Sequence, residues 1–365
     1  MPAELPAPTG ARPETAAPAA TPVGARKFPC SRCGADLVWH PGNGRLRCEY
    51  CGFERAATAE EGAPEAVAER PLEAGLAAPE KVGWGMERHS FRCTRCGAVS
   101  TLAAGVAASA CAFCGTPAVV EAPADAELVR PQGVLPFAIG RDDALNRFRA
   151  WLGSLWFRPN DLKRRAQIDS VRGVYVPFWT FDAETFSHWR AESGTRRGSG
   201  SNARVDWRPV SGTLAHAFDD LPVPASRGLD GLLARELEPF PTERLVAYAP
   251  DYLSGFTAEE YGTPLDQAWA LARARMTATL YAACRHEVPG DLCRNLVVET
   301  SWSKLAYKSG LLPVWIAAYE YRGRSFRYAV NGATGKAGGN APWSVVKIAL
   351  AVAAILLVVI LIASN

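Results

Sequence analysis

Eight of the ten cysteines in this 365-residue chain fall into two sets with one internal spacing. Cys30, Cys33, Cys48 and Cys51 form the first, Cys93, Cys96, Cys111 and Cys114 the second, each reading Cys-x2-Cys-x14-Cys-x2-Cys. A constant offset of 63 residues also carries Phe28 onto Phe91, Arg32 onto Arg95, Gly34 onto Gly97, Ala35 onto Ala98 and Gly52 onto Gly115, so the segment is an internal duplication. Four thiolates suit a tetrahedral Zn2+ at about 2.3 Å, and each Cys-x2-Cys turn aims two sulfurs at one ion. Gly34, Gly52, Gly97 and Gly115 directly follow the second cysteine of each pair, where a positive φ turns main-chain amides toward sulfur. The pattern predicts two zinc ribbons, each of two short hairpins around one ion. Four protein ligands leave no open position, so both ions are expected to be structural, in units too small to fold without them. Redox dithiols or disulfides are the competing reading, which a reducing cytoplasm disfavours. His40 and His89 stand beside sets that are already complete and are read as surface or packing residues.

Other chemistry-bearing residues give weaker patterns. Cys284 and Cys293, with His286 between them, could form a third metal site, but their separation is no standard ligand spacing, and burial in a core is the expectation. His286-Glu287 lacks the second histidine of a zincin, because Gly290 occupies its place, and no Gly-x-Ser-x-Gly elbow occurs. Asn331 to Lys336 reads NGATGK, yet Ala337 replaces the Ser or Thr that would hold Mg2+, the glycine spacing is wrong and no helix is expected behind it. A turn leaving a sheet is the expectation there. Arg196, Arg197 and Arg204 are expected at a solvated hairpin tip rather than in a phosphate site. No catalytic residue is assigned, and the chain is read as a non-enzyme.

Charge bears on nucleic acid. The whole chain carries 40 basic and 37 acidic side chains, a formal +3, which gives no global reason for a polyanionic partner. In the first ribbon Arg26, Lys27, Arg32, Arg45, Arg47 and Arg55 face Asp36, Glu49 and Glu54, and a tetrathiolate zinc adds a formal −2. The second sets Arg88, Arg92 and Arg95 against Glu87 and Glu121 before the same subtraction. Neither is a dense basic stripe interleaved with aromatics, so protein contact or scaffolding is expected ahead of nucleic-acid binding.

The elements around these residues predict an α+β fold: two small zinc ribbons, a mainly antiparallel-sheet α+β domain and one C-terminal transmembrane helix. Residues 1–27 are Pro/Ala-rich and polar, with neither a secretory core nor a basic leader, and are expected to be disordered. The ribbons are placed at 28–55 and 84–122, with a flexible or partly helical linker at 56–83 and the α+β domain at 123–342. Within that domain the patterns predict a strand at Val134 to Ile139, then a helix begun by Asp142 and Asp143 with Leu145, Phe148, Trp151 and Leu152 on one face. A long hairpin of Val174 to Trp189 with Val205 to Ala217 follows. A helix over Thr263 to Val288 is expected next, capped by Thr263, with Leu265, Trp269, Ala272, Met276, Leu280 and Ala283 as its stripe. Strands at Leu296 to Tyr307, Leu311 to Tyr321 and Arg324 to Val330 complete the sheet, with turns at Arg322-Gly323 and Asn331-Gly332.

Residues 343–365 are read as a tail anchor. Ile348 to Ala363 is apolar without a polar face, and with Val345 to Lys347 it reaches about 28 Å, close to a hydrocarbon core of about 30 Å. Lys347 can snorkel to the interface, where Trp343 would also sit. Arg322, Arg324, Arg327, Lys336 and Lys347 precede the span and no basic residue follows it, which predicts a cytoplasmic body on a single-pass protein of the bacterial inner membrane.

Five strings carry a family resemblance: GVYVPFWTFDAE (Gly173 to Glu184), LEPF (Leu237 to Phe240), YLSGFTAEEY (Tyr252 to Tyr261), LLPVWIAAYEY (Leu311 to Tyr321) and NGATGKAGGNAPWS (Asn331 to Ser344). Through them nearly the whole chain after Phe28 resembles a bacterial family of TFIIB-type zinc-ribbon membrane proteins. These are often labelled primosomal protein N′ (replication factor Y), a superfamily II helicase. A helicase motor needs a phosphate loop and a nucleotide-bound Mg2+ site, and the sequence supplies neither. The resemblance implies instead a membrane-anchored adaptor, its relatives being associated with envelope stress beside phage-shock-type and SPFH-type scaffold proteins. A replication-associated nucleic-acid binder is the alternative, and a thiol redox protein a third.

Overall fold

The computed structural model describes residues 28–57, 67–77, 88–103, 110–117, 119–122, 129–162, 171–198, 204–322 and 324–363. The lead-in expected to be disordered, 1–27, lies outside them. A small antiparallel sheet holds β1 (Leu37–His40), β2 (Arg45–Cys48) and β3 (Glu54–Arg55), in that order. A twelve-stranded sheet gathers β4 (Arg70–Pro71), β5 (Arg88–Cys93), β6 (Val99–Ala103), β7 (Val119–Ala122), β8 (Gly133–Val134), β9 (Val171–Arg197), β10 (Arg204–Pro224), β11 (Val246–Ala247), β12 (Thr257–Glu259), β13 (Leu292–Tyr321), β14 (Arg324–Asn331) and β15 (Ala337–Gly339). The helices are α1 (Leu72–Ala77), α2 (Arg141–Ser154), α3 (Gly231–Leu237), α4 (Leu265–Glu287) and α5 (Val345–Ala363). The fold is α+β and mainly sheet, antiparallel except where β12 runs beside β9 and β8 beside β13.

The sheet is built on β9 and β13. In β9 every residue from Val174 to Ala183 is buried, as expected of a strand covered on both faces. From Glu184 onward the pattern alternates, with Thr185, Ser187, Trp189 and Ala191 inside and Phe186, His188 and Arg190 outside. The inner face of this half meets α4, whose Leu265, Ala268, Ala272, Met276, Leu280 and Cys284 form a buried stripe. The predicted hairpin is present and longer than its apolar pattern, with β10 pairing β9 from Arg204↔Arg197 to Pro224↔Phe178.

Three local expectations are corrected. The two strands expected at Leu296 to Tyr307 and Leu311 to Tyr321 are one strand, β13. Lys308, Ser309 and Gly310 look like a break in sequence, but they pair with Thr180, Trp179 and Phe178, and the register shifts instead at Arg294/Val297 and Ser303/Ala306. The strand expected at Val134 to Ile139 stops at Val134, because Pro136 cannot donate to a ladder; beyond it the Ala138 and Ile139 amides turn onto the Gly332 carbonyl. Thr263 does not cap α4. Its carbonyl accepts the Trp179 Nε1 proton at 2.9 Å, and Pro264 is the N-cap without a side-chain bond.

Part of the expected linker is docked. β4 pairs with β13 at Tyr307↔Arg70, Leu72 is buried, and Gly75 lies so close to the Tyr307 ring that a Cβ would stand 2.4 Å from it. The aromatic centre of the body is Phe137, stacked on Phe256 at 4.3 Å and 5.0 Å from both Tyr175 and Trp315. Phe137→Ala should destabilise the fold by about 3–5 kcal/mol, and Phe137→Leu by clearly less. Denaturant midpoints of the detergent-solubilised chain check this, and equal losses for the two variants would remove Phe137 from that role.

Candidate metal centres

Each Cys-x2-Cys pair closes the same turn. The first cysteine's carbonyl accepts the following glycine's amide in Cys30–Gly34 at 2.8 Å, Cys48–Gly52 at 2.9 Å, Cys93–Gly97 at 2.9 Å and Cys111–Gly115 at 3.0 Å. The same cysteine amide donates one residue further, to Ala35, Phe53, Ala98 and Thr116. The glycines carry φ of 77°, 71°, 76° and 71°, the left-handed torsion expected from their positions.

The turns bring all eight sulfurs into two sets, within each of which the sulfurs lie within 4.8 Å of one another. The closest pairs are Cys30–Cys51 and Cys33–Cys48 at 3.5 Å, Cys93–Cys114 at 3.6 Å and Cys96–Cys111 at 3.7 Å. A tetrahedron of sulfurs around zinc has edges of about 3.8 Å, whereas a disulfide needs about 2.0 Å. The sets are therefore tetrathiolate cages that fit two structural zinc ions. Main-chain amides tune them: those of Cys51 and Tyr50 bring the Cys48 thiol down to about 7 against its burial. Cys33, despite the Ala35 amide, is pushed up to about 12 by desolvation within the cage and its neighbouring sulfurs. In the second set the Cys96 thiol drives Cys111 down to about 5 and rises in turn. Thiols this close share protons unevenly, and a divalent cation is what lets all four ionise together.

Both cages are set into the body. In the first, Leu37, Trp39 and Leu46 join the core around Phe137, and the Trp39 indole donates to the Phe137 carbonyl at 3.2 Å. Arg55 pairs with the buried Asp251 at 3.3 Å. In the second, β6 pairs with β12, and Phe113 is buried so tightly against Gly228 that a Cβ there would stand 2.4 Å from its ring. Glu259 fastens that contact by accepting from the amides of Arg227 at 2.9 Å and Gly228 at 2.8 Å. Burial pushes its carboxyl up to about 7, against the Ser226, Gly228 and Arg227 bonds.

The remaining candidates separate cleanly. Cys284 and Cys293 pack with Trp189, Ala191 and Val288 in an apolar cluster, burial raises the Cys284 thiol, and His286 is exposed. His40 is exposed on β1, and the His89 side chain lies outside the described residues. Arg197 and Arg204 both reach Asp206, at 2.7 and 3.5 Å, while Asp291 accepts the Arg196 amide. NGATGK is a turn between β14 and β15, organised by Asn331, whose Oδ1 accepts the Ala333 and Thr334 amides and whose Nδ2 donates to Leu237 and Pro239. Sequence patterns missed a third cluster, Glu69, Asp182 and Asp219. Its members come from distant segments, and a cation already serves it: Lys308 Nζ lies 2.7 Å from Asp220 and 3.4 Å from Glu69. Burial, with Asp220 and Glu69 nearby, pushes the Asp182 carboxyl up to about 6 despite the Asp220 amide and Lys308.

Residues 30–55 match the family model described as the PriA DNA helicase Cys-rich region (CRR) domain, which supports a zinc ribbon at the first cage. The chain is 29% identical over 229 residues to YdjG, an uncharacterized protein of Bacillus subtilis (strain 168). That alignment covers 60% of this chain and 66% of the relative, just under two thirds of its length. No solved structure matches.

The two cages predict two zinc ions per chain by elemental analysis. Cys33→Ser, at an exposed ligand, and Cys111→Ser, at a buried one, should each lose one ion. The second should also cost at least about 2 kcal/mol more of body stability, the scale of a buried apolar side chain, since Cys111 belongs to the core. Thermal melts followed by near-ultraviolet circular dichroism compare them. Asp182 gives a pH prediction. Its carboxyl holds a proton more tightly folded, near 6, than unfolded, near 3.8, so the stability it contributes at low pH is lost as pH rises through about 6. The melting difference between wild type and Asp182→Asn should therefore fall between about pH 4 and 6 and then stay flat; a flat difference throughout would place an ordinary carboxylate there.

Proposed function

We propose that this chain is a non-enzymatic scaffold anchored in the bacterial inner membrane by α5, with its ribbon-bearing body on the cytoplasmic face recruiting protein partners. The observation that carries this reading is one body that holds two closed tetrathiolate cages in its core and leads into a helix with no buried side chain. Cages with all four positions filled by protein offer a substrate no coordination site, so their work is to hold the fold. α5 has 19 residues and a mean hydropathy of 3.2, and it is long and apolar enough to cross a membrane. At about 1.5 Å per residue it reaches roughly 28 Å. Its exposed Leu, Ile and Val side chains form an apolar surface that water disfavours and a bilayer accepts. Arg322, Arg324, Arg327 and Lys347 on the body side support the cytoplasmic orientation.

Nucleic-acid binding through the first ribbon, which its family match would favour, is less well supported. Three of its arginines are engaged within the protein: Arg32 over the Phe53 ring, Arg47 with Glu54 and Arg55 with Asp251. A role in envelope stress rests on the family resemblance.

Alkaline carbonate extraction should leave the full chain in the membrane pellet, while deletion of residues 345–365 should release a soluble protein that retains both zinc ions. Pelleting of the deletion variant would remove α5 as the anchor. Nuclease treatment during affinity purification should leave co-purifying proteins in place; their loss would favour the nucleic-acid reading.

A further inference from the structure

The first turn of α5 is tied to the segment that follows α2. The Ser344 amide donates to the Phe157 carbonyl at 2.9 Å, and Lys347 Nζ donates to the Trp156 carbonyl at 2.8 Å. Arg158 lies 3.7 Å from the Trp343 ring centroid and donates to the Ala341 carbonyl. The tied segment is itself unusual for a surface loop, because Trp156 is 80% and Phe157 41% exposed. Between it and the helix runs an open groove of about 730 Å3, lined by Leu152, Leu155 and Leu162 on one side and Leu350 and Ala351 on the other. Arg158 joins the first side and Lys347 the helix side.

This placement has a consequence for depth. If α5 spans the bilayer, Trp343 and Lys347 mark its interface, and a segment bonded to both residues shares that level. Two exposed aromatic side chains at that level meet the boundary between head groups and acyl chains, where Trp and Phe are stable. Leucine side chains line much of the groove, which is continuous with helix residues that face hydrocarbon, and it carries two cations. Apolar walls fit an acyl chain. The Lys347 ammonium has two donors beyond its bond to Trp156, and they fit a phosphate.

Resting on the membrane reading above, we propose that residues 155–160 form a second membrane contact beside the span. Trp156 and Phe157 enter the head-group boundary, and the groove seats an anionic phospholipid with its phosphate against Arg158 and Lys347. The test places a photoreactive benzophenone amino acid, one position at a time, at 156, 356 and 281 of the full chain. Position 356 lies within α5, and Tyr281 is exposed on α4, which packs against β9 and β10. Each protein, checked for two bound zinc ions, is reconstituted in phosphatidylcholine vesicles with or without phosphatidylglycerol, irradiated and analysed for lipid adducts by mass spectrometry. Adducts at 156 comparable to those at 356 and several-fold above those at 281 are expected, with phosphatidylglycerol over-represented at 156. That preference should drop several-fold when Arg158→Gln and Lys347→Gln are combined. Adducts at 356 without adducts at 156 overturn the wedge and leave the span intact. No adduct at 356 overturns the span and the wedge with it. Adducts at 156 without head-group preference overturn the phospholipid site.

Discussion

The ladder between Val171–Arg197 and Leu292–Tyr321 is the constraint from which the other placements follow. Its antiparallel register runs from Leu292↔Gly194 to Pro313↔Tyr175, and five of the ten further strands of the large sheet pair directly with one of the two. β10 and β12 pair with β9, while β4, β8 and β14 pair with β13. Through β12 the ladder holds the second ribbon, and through β14, β15 and the Asn331 turn it leads to α5. A one-residue slip would exchange the faces of both strands, turning Trp179, Phe181 and Trp189 away from α4. The aromatic and β-branched content of Val174 to Trp189 makes that slip costly.

The duplicated ribbons show how one metal geometry serves two kinds of attachment. Their four knuckles share hydrogen bonds and torsions. They differ in the strand that follows the first pair, Leu37–His40 in one and its counterpart Ser100–Ala103 in the other. Leu37 and Trp39 are large and apolar, so the first ribbon docks by side-chain burial around Phe137 and Tyr252. Ser100 and Thr101 are small and polar, so the second ribbon joins edge to edge. Ala258 pairs with Thr101 and Glu259 with Ser100, and the Thr101 hydroxyl donates to the Ala258 carbonyl. The duplication keeps the cage and changes the surface around it.

What could be read from the chain followed from chemistry that is local. Cysteine spacing located both cages, the glycines after them took the torsion they were read for, and the periodicities of α2 and α4 with the uninterrupted apolar run of α5 placed three helices. The hairpin was visible because its strands are adjacent in sequence. What could not be read depends on partners far along the chain. Lys308 to Gly310 resembles a break until Thr180, Trp179 and Phe178 pair with it, and Thr263 resembles a cap until the Trp179 indole takes its carbonyl. Leu72, one of few large apolar residues in a polar stretch, gives too short a pattern to read, yet it seats the segment on the sheet. The cluster of Glu69, Asp182 and Asp219, with the Lys308–Asp220 pair beside it, likewise has no sequence signature, because its members are brought together only by the tertiary fold.

The tie between α5 and residues 156–158 also bears on how the body is carried. A body hung from a span by a free linker samples a broad hemisphere, which dilutes any surface it presents. Here the Ser344 and Lys347 bonds and the Arg158–Trp343 stack hold the start of α5 against the body. At about 3.3 Å per residue, β13 has a contour of roughly 95 Å. One continuous strand of that length ties the hairpin end at Leu292 to the core around Trp315 and to the β14 edge, so the two halves of the sheet belong to one body.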